Sequence, residues 1–350
     1  MKHGSSPAPL SVLDLTVVGE GGSGTAALRE TAALARAAER WGYRRFWVAE
    51  HHSFPASGSP APAVLLAHLG TVTSTIRLGS GGVMLTNHAP LVVAEQFGVL
   101  NAFHPGRIDL GVGRNAGGLP AVAQALRRAG KETAGDDFQA LVEELLGFLY
   151  DSFPAGHPYH GDNVHVVPRA PEMPVWTLGS GTTGAETAAR LGLPFAAAFH
   201  INPEQALRAV ELYRTAFRPS TALSEPYVMV SVNVTCAPSE TEALSLAVPG
   251  ALMMMRARQG SQSAVPAADD LASRPRTPEE QGFVDSWLSA VVHGTPETVR
   301  TRLTELHRRT DADELMLTTL IPDFAARERS YALVAGEFGL SPDASGEQRS

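Results

Sequence analysis

Apolar residues fall along this chain in short, largely β-branched runs, and between the runs they recur every three or four positions. Eight runs read as strands: 10–18 (LSVLDLTVV), 45–49 (RFWVA), 76–85, 107–113, 174–178 (PVWTL), 195–199, 227–235 and 314–320 (ELMLTTL). The spacing between them predicts a helix over 28–41 closed by Gly42, a second over 63–75, and a third over 92–103. In that third helix Val92, Val93, Gln96, Leu100 and Phe103 mark the expected buried face. Further helices are predicted at 119–129, 138–149, 184–192, 204–217, 240–258 and 324–338, and one begins at Thr295-Pro296, an N-cap followed by proline in the first turn. Strand–helix alternation of this kind predicts an α/β fold, a TIM (β/α)8 barrel rather than an open sheet.

Residues 1–9 read as a flexible tail, 10–340 as one barrel domain and 341–350 as a C-terminal tail. Two segments break the rhythm. The first, 151–171, is rich in Pro, Gly and His, with a short hairpin expected around 163–167. The second, 259–281, has almost no large apolar residue and reads as a mobile insertion between the seventh and eighth strands.

The stretch 76–114 carries the densest signal. Gly79, Gly81 and Gly82 interrupt its first strand, which points to a backbone that something approaches closely. Asn87, His88 and Ala89 form a loop, Pro90 suits a first helical turn, and the next strand delivers Arg114 to its far end. The polar residues thus collect at the carboxyl ends of the strands, where barrel enzymes hold their ligands.

Composition narrows the function classes. A 44% hydrophobic content fits a large core, and a net charge of −8 without a basic stripe argues against nucleic acid as a partner. The single cysteine, Cys236, excludes an internal disulfide and a Cys-rich metal site. The first ten residues lack the apolar core of a signal peptide, and no apolar run approaches the roughly 18 residues of a membrane span. A cytoplasmic protein with no membrane partner is expected.

The strand ends nominate the site residues. Gly179-Ser180-Gly181-Thr182 offers bare N–H groups and hydroxyls where a helix starts, which suits a phosphate, though a plain βα turn has the same look. Arg114 ends the neighbouring strand and reaches the same place, or else is simply solvated. Glu50-His51-His52 ends the second strand. Adjacent strand residues point to opposite faces, so His51 and His52 do not converge on one ion, and no metal is expected. A histidine at the barrel mouth is either an acid/base group or a hydrogen-bonded structural one.

Taken together, 46–52 (FWVAEHH), 78–90 (LGSGGVMLTNHAP), 106–114 (GRIDLGVGR), 294–299 (GTPETV) and 312–316 (ADELM) resemble the bacterial luciferase-like monooxygenases, and more narrowly their single-chain, flavin-dependent branch. The resemblance runs over roughly 10–338. It implies a luciferase-like barrel that takes reduced FMN (FMNH2) and O2, with a separate flavin reductase as supplier, and that oxygenates a small organic substrate through a peroxyflavin by hydroxylation or Baeyer–Villiger insertion. It implies His51 as the catalytic histidine. Glu50, Gly81, Gly82, Asn87, Arg114, Gly179, Ser180, Gly181 and Thr182 would serve the cofactor, and His52 and His200 the substrate pocket. The family's non-proline cis peptide falls on Gly81-Gly82, and a homodimer is the family-level expectation. Two other readings stay open: an F420-dependent hydride-transfer oxidoreductase, and a barrel that binds flavin without turnover. A phosphosugar enzyme is disfavoured, because the last two strands lack a glycine-rich phosphate loop.

Overall fold

Caps and prolines set the element boundaries. The structure is a computed structural model, and it describes residues 6–114, 120–126, 138–161, 164–261, 263–267 and 275–342. After β1 (Leu10–Asp14), α1 (Gly24–Trp41) starts where the Ser23 hydroxyl accepts the Ala26 N–H, and it ends on Gly42 at φ 85°. Then follow β2 (Arg45–Val48), α2 (Pro62–Val72), β3 (Arg77–Ser80), β4 (Val83–Met84), α3 (Pro90–Phe103), β5 (Ile108–Gly113), α4 (Pro120–Leu126), α5 (Phe138–Tyr150), β6 (Val175–Gly179) and α6 (Thr182–Leu191). The rest of the chain forms β7 (Phe195–Ala197), α7 (Pro203–Ala216), β8 (Val228–Cys236), α8 (Glu240–Arg258), α9 (Pro278–Ala290), β9 (Val292–Gly294), α10 (Pro296–Thr310), β10 (Glu314–Thr318) and α11 (Phe324–Glu337). Proline begins α2, α3 and α7, where its missing N–H costs nothing.

The strands pair in parallel in the order β10-β1-β2-β3-β5-β6-β7-β8, and β10 also pairs with β8, so eight of them close into a barrel. β4 continues β3 beyond a cis Gly81–Gly82 bond and pairs with β5, while β9 lengthens the far end of β8. Most buried apolar residues lie between strands and helices. A smaller cluster fills the barrel itself: Leu13, Trp47, Trp176, Ala196, Met229 and Met316. Trp47 and Trp176 meet edge to face with ring centroids 5.3 Å apart.

The amino ends of the strands enclose an ion network. Arg45 Nη1 donates to Asp109 Oδ2 at 2.8 Å, and Arg45 Nε to both oxygens of Glu314 at 3.0 Å. Arg77 Nη2 reaches Asp109 at 2.6 Å, and Ser11 and Tyr227 hydroxyls donate to Glu314. Asp109 and Glu314 are fully buried. Such a cluster at the amino face of a barrel belongs to stability, because the ligand face is the opposite one.

Several expectations need correction. The buried face of α3 is Val93, Ala94, Phe97 and Leu100, whereas Val92 is 45% and Phe103 76% exposed. β1 ends at Asp14, because beyond it the chain turns through Thr16 at φ 49°. The described residues of the expected hairpin, 164–167, carry no strand, and Val167–Pro168 is cis. The insertion is shorter than predicted, since a capping box at Thr277 and Glu280 already starts α9. Part of it is pinned: Val265 is buried and exchanges backbone hydrogen bonds with Val18 and Glu20. Residues 1–5, 343–350, 119, 127–129, 163, 262 and 268–274, parts of the tails, helix, hairpin and insertion read from the sequence, lie outside the described residues. Among the described residues no helix is long and apolar enough to cross a membrane.

Candidate active site

A cavity of about 380 Å³ opens at the carboxyl ends of the strands, a size ordinary for small-ligand sites. His51 after β2, Gly81 and Gly82 after β3, Arg114 after β5, Gly179 to Gly181 after β6 and His200 after β7 all line it. Ser231 and Asn233 reach it from β8, and Met253, Met254 and Trp287 come from α8 and α9. Of the residues nominated from sequence, Glu50, His52, Asn87 and Thr182 do not line the cavity. Ser231, Asn233, Thr183 and Trp287 were not nominated. The signal for the first two was present: polar residues at alternate positions in VMVSVNVTC share one strand face.

One corner brings a helix start and a guanidinium together. Helix α6 starts after Gly181, which has no side chain, and among the described residues no N-cap side chain accepts its first N–H groups. Because β5 and β6 are neighbours, Arg114 stands beside this helix end and donates to Thr183 Oγ1 at 3.3 Å. Guanidinium, hydroxyl and helix N-terminus meet at this corner, a set that could hold a phosphate.

The glycines of β3 and β5 answer to crowding. A Cβ on Gly82 would lie 2.8 Å from the Gly111 carbonyl oxygen, and one on Gly111 would lie 2.1 Å from the Ser80 carbonyl oxygen. No side chain fits either position, so the closely approached backbone read from sequence is approached first by its own neighbouring strand.

Two histidines face the cavity in neutral form. Burial lowers the pKa of His51 to about 4, with His52 adding to the effect and Glu50 opposing it. Among the described residues, the buried Nδ1 of His51 has no hydrogen-bond partner. Burial likewise brings His200 to about 4. An unfolded imidazole takes up a proton below about pH 6.5, while these two stay neutral in the fold until about 4. Between those values the unfolded state binds more protons, so stability falls as pH falls, by roughly 2 kcal/mol for each histidine. Chemical denaturation at pH 7 and 4.5 is expected to reveal this loss, and a His51→Asn/His200→Asn double variant to reduce it. His104 and His293, also lowered by burial, retain a smaller slope in that variant.

Glu50 has a different place. Its Oε1 lies 2.6 Å from His52 Nε2 and 2.8 Å from His88 Nε2, and its Oε2 accepts the Met84 N–H at 3.1 Å. Burial pushes its pKa up, but these hydrogen bonds outweigh it and hold the carboxyl below its ordinary value. The two nitrogens and one oxygen lie close enough to suggest a metal trio. Ligands around one tetrahedral ion stand about 3.3 Å apart, however, whereas these contacts have hydrogen-bond lengths. Glu50 therefore ties the end of β2 to the turn before α3 through His88 and Met84, and His52 shares the same carboxylate oxygen. Asn87 ends the single 3-10 turn Leu85–Asn87 within that tied segment.

A closed parallel barrel with a mostly apolar cavity at the carboxyl ends of its strands has the architecture of a TIM-barrel enzyme. Residues 9–313 match the family model for luciferase-like monooxygenases, and the chain belongs to that family. It is 42% identical over 328 residues to a luciferase-like monooxygenase of Escherichia coli strain K12, covering 92% of this chain and 95% of that protein. It is 34% identical to the N-acetyl-S-alkylcysteine monooxygenase of Bacillus subtilis strain 168, covering 93% and 97%. Among solved structures, apo-MsnO8 superposes with a TM-score of 0.85 at 37% identity, over 97% of this chain and 100% of that one. The fold is shared with the oxygenating constituent of a type II Baeyer–Villiger monooxygenase from Pseudomonas putida, in complex with FMN (TM-score 0.69, 21% identity, 96% and 99% covered). It is shared too with the F420-dependent tetrahydromethanopterin reductase of Methanopyrus kandleri (TM-score 0.66, 17% identity, 95% and 98% covered). This chain is thus an enzyme of the luciferase-like monooxygenase family.

Proposed function

We propose that this enzyme is an FMNH2-dependent monooxygenase that oxygenates a small organic substrate. The observation that carries the reading is the cradle of Arg114, Thr183 and the uncapped start of α6 at one corner of an apolar cavity. Those residues fit FMN: the cradle would hold its phosphate, and the wall formed by Gly81, Gly82, Leu13 and Leu178 would take the flat ring. Reduced FMN, when bound, supplies the electrons that activate dioxygen. A separate flavin reductase in the cytoplasm provides it.

The chain's own residues do the rest. Arg114 and the α6 N–H groups bind and orient the cofactor. Met253, Met254 and Trp287 cover the cavity and keep water from the reacting atoms. His51, neutral at pH 7, holds or passes a proton at its ring nitrogens. The names of two similar proteins, an N-acetyl-S-alkylcysteine monooxygenase and a Baeyer–Villiger monooxygenase, support oxygen insertion into a small organic molecule.

Arg114→Ala is the direct test. A charge-assisted contact to phosphate contributes about 1.5–3 kcal/mol, so affinity for reduced FMN is expected to fall at least tenfold. Reduced riboflavin, which has no phosphate, is expected to bind wild type and variant alike. Anaerobic calorimetry with both flavins separates these results, and equal losses would refute the assignment.

The reading includes a homodimer. Val92, Val99 and Phe103 form an exposed apolar stripe on α3, and Val64 on α2 is 72% exposed. The two helices pack against each other, so the stripe is one surface suited to a second copy. Light scattering is expected to give a dimer for the wild type and a monomer for Phe103→Glu. A monomeric wild type would refute it.

A further inference from the structure

Resting on the FMN reading and deepening it, we propose that His200 selects the substrate. Its Nε2 is an acceptor-only group on the cavity wall, and the substrate is a neutral, largely apolar molecule that offers it one O–H or N–H donor.

The partners of Ser231 suggest the tautomer. His200 Nδ1 lies 2.8 Å from Ser231 Oγ, and that hydroxyl also lies 3.2 Å from the Ala197 carbonyl, which can take its one proton. In that arrangement the oxygen has only lone pairs left for the ring, and Nδ1 carries the proton and donates. Nε2 is then unprotonated. The backbone fixes the ring's position, since the His200 N–H donates to the Ser231 carbonyl at 3.0 Å. Strand ends β7 and β8, which are paired, thus hold one imidazole in one orientation. His200 lines the cavity, and among the described residues its Nε2 has no protein partner.

The rest of the wall says what kind of molecule arrives. Leu13, Leu15, Phe54, Met316 and Leu320 are apolar, and the Ser57 hydroxyl is committed to the Leu15 carbonyl at 2.7 Å. Asn233 carries an amide that either donates or accepts, so it imposes no choice. Among the described lining residues the one cation is Arg114, and it stands at the cofactor's anion cradle. An anionic substrate would meet no counter-charge on this wall. A neutral one without a donor would leave Nε2 dehydrated and unpaired, which is the situation that gives hydrogen-bonding sites their selectivity.

The test has two arms on the full-length protein. In the first, 15N chemical shifts of the His200 ring are read in wild type and in Ser231→Ala, without flavin. The Nδ1–H tautomer is expected in the wild type and a mixture in the variant; an Nε2–H tautomer in the wild type overturns the proposal. In the second arm, 4-propylphenol and its methyl ether are titrated into wild type and His200→Phe, each with reduced FMN bound under anaerobic conditions. The wild type is expected to prefer the phenol at least tenfold and the variant to lose that preference with FMN affinity unchanged. A preference that survives in His200→Phe, or is missing from the wild type, overturns the proposal. Failure to bind FMN at all would instead strike the cofactor reading and leave the tautomer result standing.

Discussion

His51→Ala is expected to lower turnover at least a hundredfold while reduced FMN still binds within about threefold of the wild-type affinity. The two halves of this expectation come from different corners of the cavity. His51 lies after β2, and the phosphate cradle lies after β5 and β6, so the substitution removes an imidazole without touching the group that anchors the cofactor. The His51 ring is held from its backbone by the N–H bond to the Ser59 carbonyl at 2.9 Å, and Phe54 packs against it with ring centroids 5.8 Å apart. Burial keeps it neutral down to about pH 4, so its charged form contributes nothing at neutral pH. The pH profile of turnover is therefore expected to lack a histidine limb between 5.5 and 7.5, and any limb from His51 belongs near 4. Steady-state oxygenation with a supplied reductase measures the first half, and anaerobic flavin titration the second. A variant that keeps more than a tenth of the wild-type rate would remove His51 from the chemistry.

Arg45→Ala is expected to cost about 3–5 kcal/mol of stability, the loss typical of removing one member of a buried ion set. Asp109 and Glu314 both lean on this guanidinium, and neither carboxylate is accessible to water. Arg77 continues to serve Asp109 in the variant, and Ser11 and Tyr227 continue to serve Glu314, so the loss does not exceed that range. Against a total stability of about 5–15 kcal/mol this is a large fraction. Urea denaturation is expected to show a lower midpoint with an unchanged slope. Because the network sits at the amino face, the folded variant is expected to bind reduced FMN normally. A midpoint within error of the wild type would mean the network is redundant.

Much of this architecture was written in local patterns. Helix stops at Gly42 and Gly192 are left-handed glycine caps, and the start at Thr295-Pro296 is the cap and proline the sequence displays. Periodicity misjudged α3, because that helix is apolar nearly all round. A pattern with two apolar faces cannot tell core from interface, and the residues chosen included Val92 and Phe103, which face outward. It also passed over α9. Only Val284 and Leu288 are buried there, and Phe283 and Trp287 stack instead around Arg258. The Thr277–Glu280 capping box was the signal that would have found it.

At the site, strand-end logic brought His51, Gly81, Gly82, Arg114, Ser180 and His200 to one cavity. Glu50 and His52 lie outside that lining. Their partner His88 is distant in sequence, and a carboxylate shared by two rings depends on tertiary contact that no spacing encodes. The Arg45 network was invisible for the same reason: its members come from four strands and read singly as ordinary strand-start charges.

Everything proposed for the cavity rests on reduced FMN being held there by its phosphate. Anaerobic titration of the purified protein with reduced FMN and, separately, with reduced F420 tests it most directly. Saturable one-to-one binding of reduced FMN is expected, weakened at least tenfold in Arg114→Ala, with no comparable binding of F420. Saturable binding of F420 alone would contradict it in favour of hydride transfer, and binding of neither would mean that the cradle at α6 serves another ligand.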